Sequence, residues 1–164
     1  MQEIADACGL TKAGLYHYIS TKEALLVAIM EYGMDLFEEM VLDQVKHIDD
    51  PLERLRQTMA RNVDLVTQDS SKEVTIILHE HQTLTGAARR AINGRKKKYV
   101  RFLEDAFREA MARGQIRNVD PTLASFSFLG TVLWTYKWYR PDGRLDPQHL
   151  AAGIIDLFFE GLVP

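Results

Sequence analysis

The chain has 164 residues, of which 46% are hydrophobic and 26% charged, with a formal net charge of −3 and one cysteine, Cys8. A chain of this length buries about 70% of its unfolded surface, so its core needs no metal or disulfide staple. The composition excludes a disordered chain, the lone cysteine excludes a disulfide scaffold, and the charge excludes a globally basic nucleic-acid binder; any nucleic-acid surface has to be a local patch.

The opening stretch, MQEIADACGLTKAGLYHYISTKEALL, reads as two short helices around a glycine. Met1, Ile4, Ala5 and Cys8 share one face of the first, which is predicted to be buried. Gly9 supplies a left-handed helix end, Leu10 an inward contact, and Thr11 a cap for the second helix. In that helix Leu15, Tyr18 and Ile19 form the predicted inward stripe, and Lys12, Ala13, Tyr16 and His17 the opposite face. Gly14 costs about 1 kcal/mol relative to alanine in a helix interior, which close approach to another surface would explain. Two readings fit this spacing. One is an ordinary helical hairpin; the other is a helix-turn-helix whose second helix meets base edges. In the second reading Tyr16 and Lys22 contact phosphates, and a phosphate offsets the unfavourable position of Lys22 in the first turn of the next helix.

That next helix is predicted from about Thr21 to Val45, with Ser20 and Glu23 as a capping box. Three Asp-Pro pairs follow, at Asp50-Pro51, Asp120-Pro121 and Asp146-Pro147. Each suits an N-cap followed by a residue with no N–H to waste, and each precedes apolar residues at helical spacing. Further helices are predicted from Lys72 to about Leu84 and from about Ala87 to Arg113, the latter stopped at Gly114. Strand patterning is almost absent. The expected fold is all-α, with residues 1–24 as a helix-turn-helix unit and residues 25–164 as a helical bundle for ligand binding and dimerisation.

The segment IADACGLTKAGLYHYISTKEALL resembles the DNA-binding signature of the TetR family of bacterial transcription regulators. The resemblance implies that Thr11, Lys12, Ala13, Gly14, Tyr16, His17 and Lys22 face an operator palindrome on double-stranded DNA. It also implies a homodimer and a regulator, most simply a repressor, released by a small apolar effector. Members of the family have one more helix ahead of these two, so the expectation is that the protein begins upstream of Met1. The competing reading is a dimeric ligand-binding module that has lost DNA binding with that helix.

In the family the last two helices pair with those of a partner. That assigns Phe126, Gly130, Leu133, Ile154, Ile155 and Phe158 to the dimer interface, with simple core as the alternative. The segment WTYKWYRPDGRLDP carries Trp134, Trp138 and Tyr139, which read either as core or, with Phe102 and His79, as the wall of an apolar pocket. Its W-Y-R-P-D-G portion resembles TetR-type regulators of fatty-acid, steroid and related acyl-coenzyme A breakdown, which makes an acyl-coenzyme A the candidate effector. Between Glu80 and Glu104 there is no acidic residue, but Arg89, Arg90, Arg95, Lys96, Lys97, Lys98 and Arg101 are present. This is a solvated helix face or a surface for a phosphate-rich ligand tail. His79 and His81 stand about 200° apart on a helix, so they do not share a metal. No nucleophile–base pairing is legible, and the expectation is a binding protein without cofactor or catalytic metal. No signal-peptide pattern opens the chain, and its longest uncharged run, Pro121 to Tyr136, is too short to span a bilayer. A cytoplasmic protein is expected.

Overall fold

The computed structural model describes residues 1–67 and 84–160. Every regular element among them is helical. Helices α1 (Gln2–Ala7) and α2 (Lys12–Tyr18) form the small N-terminal unit. Helix α3 (Lys22–Phe37) runs on through a π-helical turn, Glu38–Leu42, into a last turn at Asp43–Val45. The bundle consists of α4 (Pro51–Thr67), α5 (Gly86–Ala112), α6 (Pro121–Leu133), the single turn α7 (Thr135–Trp138) and α8 (Pro147–Glu160). The helix predicted over residues 72–84 lies almost wholly outside the described residues, as do His79, Glu80 and His81.

The three aspartates ahead of proline act as predicted. Asp50 accepts from the Glu53 amide at 2.8 Å, Asp120 from the Leu123 amide at 2.8 Å, and Asp146 from the Gln148 and His149 amides at 3.0 Å. Gly114 ends α5 with a φ of +66° while the Gln115 amide bonds back to the Ala110 carbonyl, a chain reversal that only glycine takes without strain. The capping box is not formed. Thr21 instead caps α3, its hydroxyl accepting from the Ala24 amide at 3.0 Å, and Glu23 turns away to accept from the Thr85 hydroxyl at 3.1 Å. Ser20 and Thr21 are both capping types, and the extended backbone at Thr21 decides between them.

The main core joins α4, α5, α6 and α8. Leu55, Met59 and Val63 of α4 meet Leu103, Ala106 and Phe107 of α5, Phe128 and Val132 of α6, and Leu150 and Phe159 of α8. Phe107, Phe128 and Phe158 pack edge-on or tilted, with centroids 5.8 to 6.5 Å apart, an arrangement that favours ring quadrupoles. A second cluster ties α3 to the start of α5, through Met30 and Met34 against Leu84 and Ile92. A third seats the π turn on α4, with Val41 against Leu65 and Val66. The α3 rod therefore follows the N-terminal unit in the chain at one end and reaches the core of the bundle at the other.

The face of α1 predicted to be buried is only partly so. Ala5 is inside, whereas Ile4 is 39% exposed and Cys8 is exposed, because α2 covers one side of so short a helix. Among the described residues no helix is long and apolar enough to cross a membrane.

Candidate nucleic-acid interface and effector domain

The second helix is set by its cap. Thr11 has extended backbone, and its hydroxyl accepts from the Gly14 amide at 3.0 Å, so the helix starts at Lys12. A Cβ on Gly14 would stand 3.2 Å from that same hydroxyl. The contact with its own cap is one local reason for a glycine at this position. Leu15 is buried and fixes the rotation of the helix, leaving Lys12, Ala13, Tyr16 and His17 exposed on the side away from α1. Tyr18 departs from its predicted inward position. It is 76% exposed and meets the His17 ring edge-on at 5.6 Å. The helix ends at Tyr18 and the chain turns extended at Ile19, so the helical period no longer holds there. Lys22 is exposed in the first turn of α3, next to the Thr21 cap. The exposed face of α2 therefore offers a cation, an imidazole and the Tyr16 phenol, followed by the free amides of a 16-residue helix.

Helix α3 follows this unit in the chain and lies on the bundle, where one arginine ties it to α5. Arg95 of α5 donates to Asp35 at 2.7 Å, to Glu38 at 2.9 Å and to the Glu31 carbonyl. Its pKa is raised by these acidic partners, against the opposing effect of partial burial. The basic run is therefore not one uniform face. Arg95 is committed to α3, whereas Arg89, Arg90, Lys97, Lys98 and Arg101 are exposed. Lys96 is half-buried, and desolvation lowers its pKa. With Lys97, Arg101, Asn93, Val100, Glu104 and Phe126 it lines a surface pocket of about 390 Å³.

Among the described residues, the predicted pocket residues fall in different places. Helix α6 ends at Leu133 and α7 begins at Thr135, so Trp134 and Trp138 do not share a regular helix face. Trp134 is 61% exposed. Trp138 and Tyr139 line a second surface pocket of about 300 Å³ with Arg140, Gly143, Arg144 and Leu145. Phe102 is elsewhere, half-buried against the main core and stacked at 6.4 Å on Tyr99. His79 lies outside the described residues. A group that the sequence reading passed over sits beside Phe102: Asn62, 1% exposed, donates to the Tyr99 hydroxyl at 2.8 Å across α4 and α5.

The proposed dimer residues divide in two. Phe126, 57% exposed, and Gly130 lie on the open side of α6, with Leu123 and Trp134 in line with them. On α8 the assigned residues differ in how far they face their own core. Ile154 is buried, and Ile155 and Phe158 pack against the main core. The outward apolar residue is Leu157, at 79% exposure. Leu133 is turned inward against the π-turn cluster. An α8 that is apolar nearly all round gave no period from which to choose.

With this geometry in hand, comparisons with known proteins are specific. Residues 1–29 match the family described as bacterial regulatory proteins, tetR family, and residues 48–162 match the tetracyclin repressor-like C-terminal domain. The crystal structure of AibR in complex with isovaleryl coenzyme A and operator DNA is 62% identical, with 95% of this chain and 84% of that one covered at a TM-score of 0.91. The regulator PfmR from Thermus thermophilus is 26% identical, with 99% and 88% covered at a TM-score of 0.87. The HTH-type transcriptional repressor KstR2 of Mycobacterium tuberculosis (strain ATCC 25618 / H37Rv) is 25% identical over 165 residues, covering 99% of this chain and 82% of its own. Two family matches that together take in both ends of the chain, and a close relative over nearly all of it, place this protein in the TetR family of bacterial transcription regulators.

Proposed function

We propose that the chain is a transcriptional repressor that holds an operator as a homodimer and releases it when a short acyl-coenzyme A enters the helical domain. The observation that carries this reading is the exposed Lys12, Ala13, Tyr16 and His17 face, joined by one helical rod to the bundle core. The likeness to AibR, a protein seen with isovaleryl coenzyme A and operator DNA together, supports both ligands.

Two readers must sit about 34 Å apart to meet successive half-sites on one side of the duplex. The exposed apolar residues Leu123, Phe126, Trp134 and Leu157 supply a face on which a second copy covers the first. The effector acts by differential affinity. It favours a setting of α3 in which the two readers no longer match the half-sites, with a coupling of about 1–3 kcal/mol. Arg95 and the π turn are where that setting is made. The working steps are binding and conformational, in the cytoplasm where the operator lies, and need neither a bond-breaking step nor a resident cofactor.

The test is fluorescence anisotropy of a labelled duplex from the region upstream of the gene, titrated with the full chain, with and without isovaleryl coenzyme A. Salt-sensitive, sequence-selective binding that the thioester reverses is the expected result. Absence of selective binding, with the thioester still bound, would favour a ligand-binding module without a DNA reader.

A further inference from the structure

Asn62 is a polar residue on the apolar stripe of α4, one helical turn beyond Met59. Its amide nitrogen donates to the Thr58 carbonyl at 2.6 Å and to the Tyr99 hydroxyl at 2.8 Å. Since the Thr58 carbonyl only accepts, the carboxamide orientation is fixed, with nitrogen on that side. Its oxygen, Oδ1, is then buried with no hydrogen-bond partner. The Tyr99 hydroxyl accepts from Asn62, which leaves its own proton to give. The pair thus presents one donor and one acceptor, both inside the domain. Around them are Phe37, whose ring meets Tyr99 at 4.4 Å, and Phe102, with Met59, Val63 and Leu103 in the same cluster. A fully apolar pair of the same shape would hold this core as well or better, because a half-satisfied buried polar pair is costly. A structural role alone gives no reason to keep it.

We propose that Asn62 and Tyr99 are the recognition pair for the acyl end of the effector, with the Tyr99 hydroxyl donating to a neutral acyl carbonyl. The inference rests on the effector reading above and adds the chemistry of what is recognised. The surrounding rings and aliphatic chains have the apolar character that a short acyl group requires. Asn62 Oδ1 accepts from an N–H or O–H further along the same ligand, such as the amide nearest the thioester of a coenzyme A arm. Both groups of the pair are neutral, and burial pushes the Tyr99 phenol up, so it stays protonated and a donor throughout the physiological range. A free carboxylate would enter an apolar site with no cation bonded to the pair, at a large desolvation cost. The pair therefore selects thioester over free acid.

The experiment is isothermal titration of the full chain with acyl-coenzyme A thioesters of two to eight acyl carbons, isovaleryl coenzyme A included, and with free isovalerate. Wild type, Tyr99→Phe, Asn62→Leu and the double variant are compared, each with its melting temperature. The expected result is thioester binding by wild type, at least 100-fold weaker binding of free isovalerate, and about a 10-fold loss for Tyr99→Phe. The double variant should melt no lower than wild type yet bind thioester as weakly as the single variants. Wild type and well-folded variants that bind the thioester equally would overturn the recognition role and leave the effector reading standing. Wild type that binds none of the thioesters would overturn both.

Discussion

Lys22 stands where a positive charge is poorly placed for its own helix, in the first turn of α3 beside the free amides at the positive end of the helix dipole. It is exposed, and no ion pair within the described residues compensates it. A DNA phosphate would. Lys22→Ala is expected to weaken binding to operator and to unrelated duplex by similar factors, and to lower the slope of log affinity against log salt by about one. Anisotropy titrations at several salt concentrations measure both; a change in sequence preference would instead put Lys22 at a base edge. Much of this residue-level picture was legible, because Thr11, Gly14 and Leu15 follow local rules of capping and helical period. What was not legible depended on neighbours of the same type or on distant contacts. Ser20 and Thr21 are interchangeable as caps until the backbone is known, Tyr18 is released from its stripe by the end of the helix, and Asn62 meets Tyr99 from 37 positions away.

Among the elements, the helix starts were the most readable. Asp-Pro couples an acceptor to a residue without an N–H, and all three pairs begin helices. The Asp50 carboxylate accepts from the Glu53 amide and the Gln115 side chain, which together hold its pKa below the usual carboxylate value. A carboxylate depressed in the folded state contributes stability above its unfolded pKa, near 3.9, and loses it as pH falls through the lower folded value. Thermal melts between pH 7 and pH 3 should therefore show a steeper acid loss for wild type than for Asp50→Asn, which keeps an N-cap but does not titrate. The π turn and the Arg95 clamp carried no sequence mark. Both are set by how α3 lies on α4 and α5, and the acidic partners of Arg95 are 57 and 60 positions away. Each ion pair is partly exposed and adds little to stability. Their value lies in fixing α3 against α5. Arg95→Met should cost about 1 kcal/mol or less in a melt while reducing the change in operator affinity that effector produces. If effector still releases operator by the wild-type factor, the clamp does not carry the coupling.

For the molecule as a whole, the question is which apolar surface belongs to the core and which to a second copy. The sequence offered two helices apolar nearly all round, and periodicity could not divide their faces. The fold does so. Ile154 and Phe159 close the interior against α4 and α6, while Leu157 on α8 and Leu123, Phe126 and Trp134 on α6 remain open. A carboxylate at position 157 would meet solvent in an isolated 18.8 kDa subunit and disturb no packing. In a twofold interface it would be desolvated, and its symmetry mate would lie close by, so repulsion adds to desolvation. Leu157→Glu should therefore leave the helical circular dichroism and the monomer fold intact while light scattering shows a shift from dimer to monomer. Palindromic operator binding should fall about 100-fold or more, since the second half-site no longer benefits from linkage to the first. Ile154→Glu is the contrasting case. It places a charge in the core and should lower the melting temperature sharply whatever the oligomeric state. A Leu157→Glu protein that stays dimeric and keeps its operator affinity would move the interface off this face, and the spacing of the two readers would then have to be set by another surface of the bundle.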